Sequence, residues 1–256
     1  MVRLGQHFLI DQSVLDELVE YGELTKKDVV LEIGAGGGEL TWRIAEKAGR
    51  VIAIEIDEKL AREAEKRLSR YDNVELIVGD VLKIKPSGFN KVVSNPPYYI
   101  STKLLQWVIS NLPEKIVLTL QKEFALKLTS LPGSKRYVYT SFISNLYYNT
   151  KIARVISRNM FKPAPKVDSV IIVMERKGQL SWNKNVLRVV KNMFTQKKKT
   201  LKTLLKKYLE IRDIDKLIRE LELYDIAYNR IYRIQPERLY QAIDKILNYM
   251  KLGGTI

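Results

Sequence analysis

The sequence predicts an α/β protein: a mostly parallel, seven-stranded sheet covered by helices, followed by a small all-helical C-terminal domain. Three observations carry that reading. Short apolar, β-branched runs alternate with amphipathic stretches between residues 29 and 120, the pattern of parallel strands buried on both faces. Two more β segments follow with only a short proline-containing link between them, which makes them an antiparallel addition at the sheet edge. From Asn183 onward every periodic stretch is helical.

Residues 10–21 read as a helix with Val14, Leu15, Leu18 and Val19 on one face, capped near Asp11 or Ser13 and stopped by Gly22. Strands follow at 29–33, 51–55, 74–78, 92–93 and 116–120, separated by a glycine loop leading into a helix over 39–48, a charged helix near 58–70 and a helix from Ser101 to about Asn111. Residues 137–148 are aromatic-rich and helical, and 151–156 and 169–174 are the two edge segments. Helices are expected at 183–194, 196–209, 213–222 and 236–250, the last with Pro236 in its first turn. The shift in composition near Lys177-Gly178 sets a domain boundary there, giving domains 1–177 and 178–256.

A chain of 256 residues, 46% apolar and 29% charged, is long enough to bury a sizeable core. No window approaches the roughly 18 uninterrupted apolar residues of a membrane span. The opening residues, with Gln6, His7 and Asp11, lack an apolar signal segment, so the expectation is a cytoplasmic protein with no membrane partner. The absence of cysteine excludes disulfides, thiolate zinc sites and a cysteine nucleophile. With His7 as the only histidine, a multi-histidine metal site is excluded too, and no metal is expected. Such a chain suits a reaction that depends on positioning more than on proton shuttling.

The net charge of +15 is unevenly spread: residues 177–256 hold 18 basic against 8 acidic side chains, two thirds of the excess. That concentration points to a polyanionic partner, nucleic acid before membrane, because no lipid-binding amphipathic helix stands out. Helix 196–209 would present Lys197, Lys198, Lys199, Lys202, Lys206 and Lys207 to phosphates.

The chemistry is expected at Ser94-Asn95-Pro96-Pro97-Tyr98. Two prolines end the strand, since neither can donate a ladder hydrogen bond, and they hold Asn95 and Pro96 extended. An Asn95 amide, a Pro96 carbonyl and the Tyr98 ring offer two acceptors and one stacking face, which suits a flat heteroaromatic with an exocyclic amine, such as adenine. The plainer reading of the same residues is a strand-ending turn. Upstream, Glu32-Ile33-Gly34-Ala35-Gly36-Gly37-Gly38 fails the dinucleotide pattern, because the third glycine would fall on Glu39, and it has no phosphate-loop lysine. Its glycines, Gly34 and Gly36 first, let a ligand approach the backbone. Glu55, at the end of the second strand of the alternation, can accept ribose hydroxyls, and Asp80, after the third, can accept from an amino group. These features fall in order at the carboxyl ends of strands one to four, the edge where open α/β sheets bind ligands.

Taken together these motifs are similar to those of the KsgA-type ribosomal RNA adenine dimethyltransferases, with the Erm methyltransferases as cousins. The matching pieces are Leu4-Gly5-Gln6-His7-Phe8-Leu9 with Asp11, Glu32 to Gly38 with Leu40-Thr41, Glu55-Ile56-Asp57, Gly79-Asp80, Asn95-Pro96-Pro97-Tyr98 and Phe161 to Ser169. The late segment Phe194 to Leu201 resembles that family's basic stretch. Two positions depart from the pattern: Pro97, where the family carries Leu or Ile, and Ala35, where it carries proline.

The resemblance implies a Rossmann-like class I methyltransferase domain over 1–177 and a basic RNA-binding domain over 178–256. It implies S-adenosylmethionine as cofactor, with Gly34, Gly36, Glu55, Asp80 and Asn95 in contact with it and His7 and Leu9 closing over it. Asn95 and Pro96 would hold the target N6 amine, and Tyr98 and Phe161 would sandwich the base. The implied substrate is two adjacent adenines near the 3′ end of RNA in the small ribosomal subunit, modified during assembly by a monomeric enzyme. Three alternatives stand beside it: an Erm-type enzyme acting on large-subunit RNA, a DNA adenine methyltransferase of the kind Pro97 resembles, and a non-catalytic assembly or RNA-binding factor.

Overall fold

The computed structural model describes residues 7–178, 180–209 and 213–251, so Leu4, Gly5 and Gln6 of the opening motif lie outside the described residues. These residues form two compact units: the chain up to Leu126 with Tyr147–Gly178, and Lys127–Leu146 with the chain after Gly178.

In the first unit the chain begins with the two-residue strand β1 (Phe8–Leu9) and helix α1 (Gln12–Gly22). Asp11 caps α1, its Oδ1 accepting from the amides of Ser13 (3.0 Å) and Val14 (3.4 Å). Val14, Leu15, Leu18 and Val19 are buried, and the helix packs on the sheet. Truncating Leu18 to alanine would cost about 2–5 kcal/mol in so closed a core. The alternation continues as β2 (Val29–Ile33), α2 (Glu39–Lys47), β3 (Arg50–Glu55), α3 (Glu58–Leu68), β4 (Val74–Val78), the short α4 (Val81–Ile84), β5 (Lys91–Ser94), α5 (Ser101–Ser110), β6 (Lys115–Gln121) and α6 (Lys122–Leu128). After α7 (Tyr139–Tyr147) come β7 (Tyr148–Ile156), β8 (Phe161–Lys162) and β9 (Ser169–Arg176).

The seven-stranded sheet has the order β4-β3-β2-β5-β6-β9-β7, a Rossmann-like class I methyltransferase topology. The first five strands are parallel; β9 runs antiparallel to β6, and β7 antiparallel to β9, as the short link between them requires. Because β2 pairs with β3 on one side and β5 on the other, strand order reverses there. This reversal opens a crevice at the carboxyl ends of the strands. The pair β1–β8 stands apart, joining Phe8 to Lys162 and Leu9 to Phe161.

The second unit holds α8 (Lys184–Phe194), α9 (Leu201–Leu209), α10 (Ile214–Glu220), α11 (Tyr224–Ala227) and α12 (Pro236–Lys251). Asn183 caps α8, accepting from Asn185 N–H at 3.1 Å, and α8 packs its buried Val186, Val190 and Met193 face on α12. The sequence predicted a helix from 196, yet residues 196–199 form turns. Backbone bonds from Leu201 to Asn229 (3.0 Å) and from Ile231 to Lys199 (3.1 Å) hold that stretch in a bridge, and α9 starts only after it.

A single boundary at 177/178 is not what the chain shows, because 127–146 clusters with the C-terminal helices. Aromatic packing is the cause: Tyr137, Tyr139 and Phe142 place their rings 5.7, 6.2 and 5.6 Å from Phe194. Among the described residues, no helix is long and apolar enough to cross a membrane.

Candidate active site

The loop after β2 turns back on the sheet through two amides, Gly34 and Ala35, that share the Ile54 carbonyl at 2.7 and 3.0 Å. Gly34 and Gly36 have φ of 78° and 56°, a region that glycine enters at no steric cost. At Gly34 a side chain would also press on Pro97, 3.4 Å from where its Cβ would stand. Helix α2 then starts at Glu39, after Gly38 at φ 83° has turned the chain into it.

Glu55 ends β3 almost wholly buried. Its Oε2 accepts from Gly36 N–H at 2.8 Å and its Oε1 from Asp57 N–H at 2.9 Å. Each oxygen therefore keeps a lone pair, and the carboxylate is fixed in orientation, as a receiver of paired hydroxyls must be. Asp80 caps α4 through Leu82 N–H at 2.9 Å and is half-buried at the end of β4. Behind the loop lies Glu32, 1% exposed, with Oε2 unpartnered. Burial, reinforced by the charge of Glu55 and opposed by the nearby Thr41 hydroxyl, pushes its carboxyl up to about 8, so it is largely protonated at neutral pH.

The other wall of the crevice is assembled from distant parts of the chain. Pairing of β1 with β8 carries His7 and Phe8 to the mouth of the cleft, and His7 Nδ1 donates to the Pro163 carbonyl at 2.8 Å. Because a carbonyl only accepts, that bond fixes the ring tautomer. Alternation along β1 sends Leu9 into the core, 7% exposed, and Phe8 into the cleft. Leu9, expected to help close over the cofactor, thus turns its side chain into the core, while Phe8 faces the glycine loop, 3.6 Å from where a Gly36 Cβ would stand.

At the end of β5 the chain leaves the sheet as expected. The Asn95 Nδ2 donates to the His7 carbonyl at 3.5 Å, while its Oδ1 accepts from the Thr119 hydroxyl. Among the described residues the Pro96 carbonyl carries no hydrogen bond, so it remains an open acceptor beside Asn95 in the cleft. Tyr98 meets Ser169 Oγ at 2.5 Å, and burial raises its phenol above the usual range, which keeps it protonated. Tyr98 and Phe161 do not form an open sandwich. Their planes meet at 69° with centroids 6.5 Å apart, and Phe161 is 3% exposed, so the ring nearest Tyr98 on the cleft side is His7, at 5.9 Å and 30°.

Gly34, Gly36, Glu55, Asp80, Asn95, Pro96, Tyr98 and His7 thus line one cleft, while Leu9 and Phe161 stand behind it. The lining fits a nucleoside-bearing cofactor: a glycine loop open to close approach, a fixed carboxylate, a second acid and the apolar Ile56 beside them. Residues 2–242 match the family described as ribosomal RNA adenine dimethylase. The chain belongs to the ribosomal RNA adenine dimethylase family. It is 41% identical to the ribosomal RNA small subunit methyltransferase A of Thermotoga maritima over 211 residues, 81% of this chain and 75% of that one. It is similar in structure to a dimethyladenosine transferase from Plasmodium falciparum, with a TM-score of 0.84, 28% identity and coverage of 96% and 98% of the two chains. The 23S rRNA methyltransferase ErmE superposes with a TM-score of 0.67 at 27% identity, covering 93% and 99%.

For a dimethylase of this family, the residues that sequence reasoning did not single out are Phe8, Tyr99, Thr119 and Ser169. Phe8 was visible only as part of a motif, and its direction depends on a two-residue strand too short to show alternation. Tyr99, exposed in the cleft lining, follows the expected motif directly. Thr119 and Ser169 reach the site through strand register, for which a lone hydroxyl in an apolar run is a weak signal.

Proposed function

We propose that this protein transfers methyl groups from S-adenosylmethionine to N6 of two adjacent adenines near the 3′ end of small-subunit ribosomal RNA. The product is N6,N6-dimethyladenosine, formed during subunit assembly by the protein as a monomer. The observation that carries the reading is that the corner Asn95-Pro96-Pro97-Tyr98 lines the same cleft as Gly34, Gly36, Glu55 and Asp80.

When bound, S-adenosylmethionine supplies an electrophilic methyl group on a sulfonium sulfur. In this reading Glu55 takes ribose hydroxyls, Asp80 an amino group, and the glycine loop the approach of the backbone. The target amine is a poor nucleophile, because its lone pair is delocalised into the ring. Asn95 Oδ1 and the Pro96 carbonyl accept its two N–H groups, which favours a pyramidal nitrogen with its lone pair directed along the line of transfer. The nitrogen gains the methyl as the carbon–sulfur bond breaks, and it loses a proton to water only after alkylation. No side-chain base is needed, which agrees with a site whose one imidazole has its Nδ1 bound to a carbonyl. The base must leave its stack, at a cost of a few kcal/mol that contact with Tyr98 and His7 offsets.

The second unit supplies RNA affinity in this reading. Two of its expected phosphate contacts are already engaged: Lys197 Nζ holds the carbonyls of Lys135 (2.9 Å) and Tyr137 (2.6 Å), and Lys202 pairs with Asp215 at 2.5 Å. The exposed Lys198, Lys199, Lys206 and Lys207 remain for phosphates.

Transfer of labelled methyl from S-adenosylmethionine to undermethylated small subunits, with naked large-subunit RNA and duplex DNA in parallel, tests the substrate. Label in the small subunit alone is expected. Label only in another substrate moves the assignment to a cousin family, and tight subunit binding without label makes the protein a binding factor.

A further inference from the structure

Between its polar ends, Lys115 and Gln121, strand β6 is apolar except at one place. Ile116, Val117, Leu118 and Leu120 are buried as a parallel strand demands, and between them Thr119 is also fully buried. A hydroxyl without solvent must find partners inside the protein. Register supplies them: Ser94 lies opposite Leu118 in the β5–β6 pair, so one step on Thr119 stands beside Asn95, the residue at which the chain leaves the sheet. On the other side β9 places Ser169 opposite Gln121, near the hydroxyl of Tyr98.

The direction of these bonds follows from what each group can do. The His7 carbonyl only accepts, so the Asn95 amide must turn Nδ2 towards it and Oδ1 towards Thr119. Thr119 then spends its one proton on Oδ1. If the amide turned over, Nδ2 would take the place of Oδ1 and leave the His7 carbonyl facing an acceptor. The Thr119 hydroxyl and the His7 carbonyl thus hold the two ends of the Asn95 amide, and the Thr119 bond uses one lone pair of Oδ1 and leaves the other to accept.

We propose that Thr119 is a positioning residue for methyl transfer: its hydroxyl, with the His7 carbonyl at the other end, fixes the Asn95 amide so that Oδ1 is the group that accepts the target amine. This rests on the reading of Asn95 as an acceptor for the amine. The role concerns turnover rather than binding of either ligand, since Thr119 is sealed from the cleft by Asn95.

The test compares Thr119→Val, Thr119→Ser, Thr119→Ala and Asn95→Ala in single-turnover methyl transfer to small subunits at saturating S-adenosylmethionine. Cofactor affinity is measured by calorimetry and folding by thermal melting. Thr119→Val keeps the β-branched shape and removes the donor. It is expected to lose roughly ten- to a hundredfold in rate with cofactor affinity kept within about twofold, and Thr119→Ser to restore the rate. A merely structural threonine would lower the melting temperature and leave the rate alone; a folded Thr119→Val at wild-type rate overturns the proposal. If Thr119→Val does not fold, Thr119→Ala decides: a slower rate with cofactor affinity retained supports the proposal, and an unchanged rate overturns it. Wild-type turnover by Asn95→Ala would instead overturn the reading of the corner itself.

Discussion

The two walls of the cleft are built in opposite ways. The wall formed by Gly34, Gly36, Glu55 and Asp80 comes from consecutive strand–loop–helix units, and its bonds span short stretches of chain: Glu55 holds Gly36 across 19 residues and Asp57 across two. The wall formed by His7, Asn95 and Tyr98 is tied across 156 residues at His7–Pro163, 88 at Asn95–His7 and 71 at Tyr98–Ser169. A local wall is shaped by each unit as it forms, whereas the distant wall exists only once the sheet is closed and β1 has met β8. The first is therefore suited to hold a ligand common to many reactions, and the second to set which atom reacts.

If the division is real, substitutions in the two walls should fail in different quantities. Asn95→Ala is expected to have the largest effect, lowering turnover by roughly 10²–10³ at saturating cofactor, read in single-turnover transfer. Glu55→Ala should act mainly on cofactor affinity, weakening it by roughly ten- to a hundredfold in calorimetry while turnover recovers at high cofactor concentration. The reverse pattern would erase the distinction.

The basic helices sharpen a second contrast, between charges that are free and charges that hold the fold. Reversal of Lys198 and Lys199 to Glu should weaken subunit binding and flatten its logarithmic salt dependence by about two units, whereas Lys197→Met should lower the melting temperature with little change in slope.

The smallest effect concerns Glu32. Its carboxyl is raised in the folded state, to about 8 against an ordinary value of 4.5, so the stability it contributes is present below 4.5 and is lost as pH rises towards 8. Glu32→Gln, already neutral, should lose less stability than the wild type as pH rises across that window. Thermal melts of both proteins from pH 5 to 8 check it; parallel curves would mean that the carboxyl is not held protonated.

The same contrast explains what could be read from the sequence. Strands β2 to β6 were legible because apolar, β-branched runs of four or more residues have few alternative fates, and the acids and asparagine at their ends inherited their positions from that order. Asp11 and Asn183 were placed correctly at helix starts for the same local reason. The β1–β8 pair carries no periodicity in two residues, so the burial of Leu9 and the exposure of Phe8 to the cleft could not be foreseen. Nor could the edge-on meeting of Tyr98 with Phe161, which depends on how β8 approaches β5. Residues 127–146 carry aromatic side chains that fit either unit by composition, and only Phe194 decides which one they join. Thr119 is a lone hydroxyl in an apolar strand, and its partner is set by register with the neighbouring strand.

The most direct test is nucleoside analysis, by mass spectrometry, of small-subunit RNA after reaction with S-adenosylmethionine and either the wild-type protein or Asn95→Ala. The account predicts N6,N6-dimethyladenosine with the wild type and none with the variant. Methyl groups on ribose oxygens or ring atoms, or dimethyladenosine made equally well without Asn95, would contradict it.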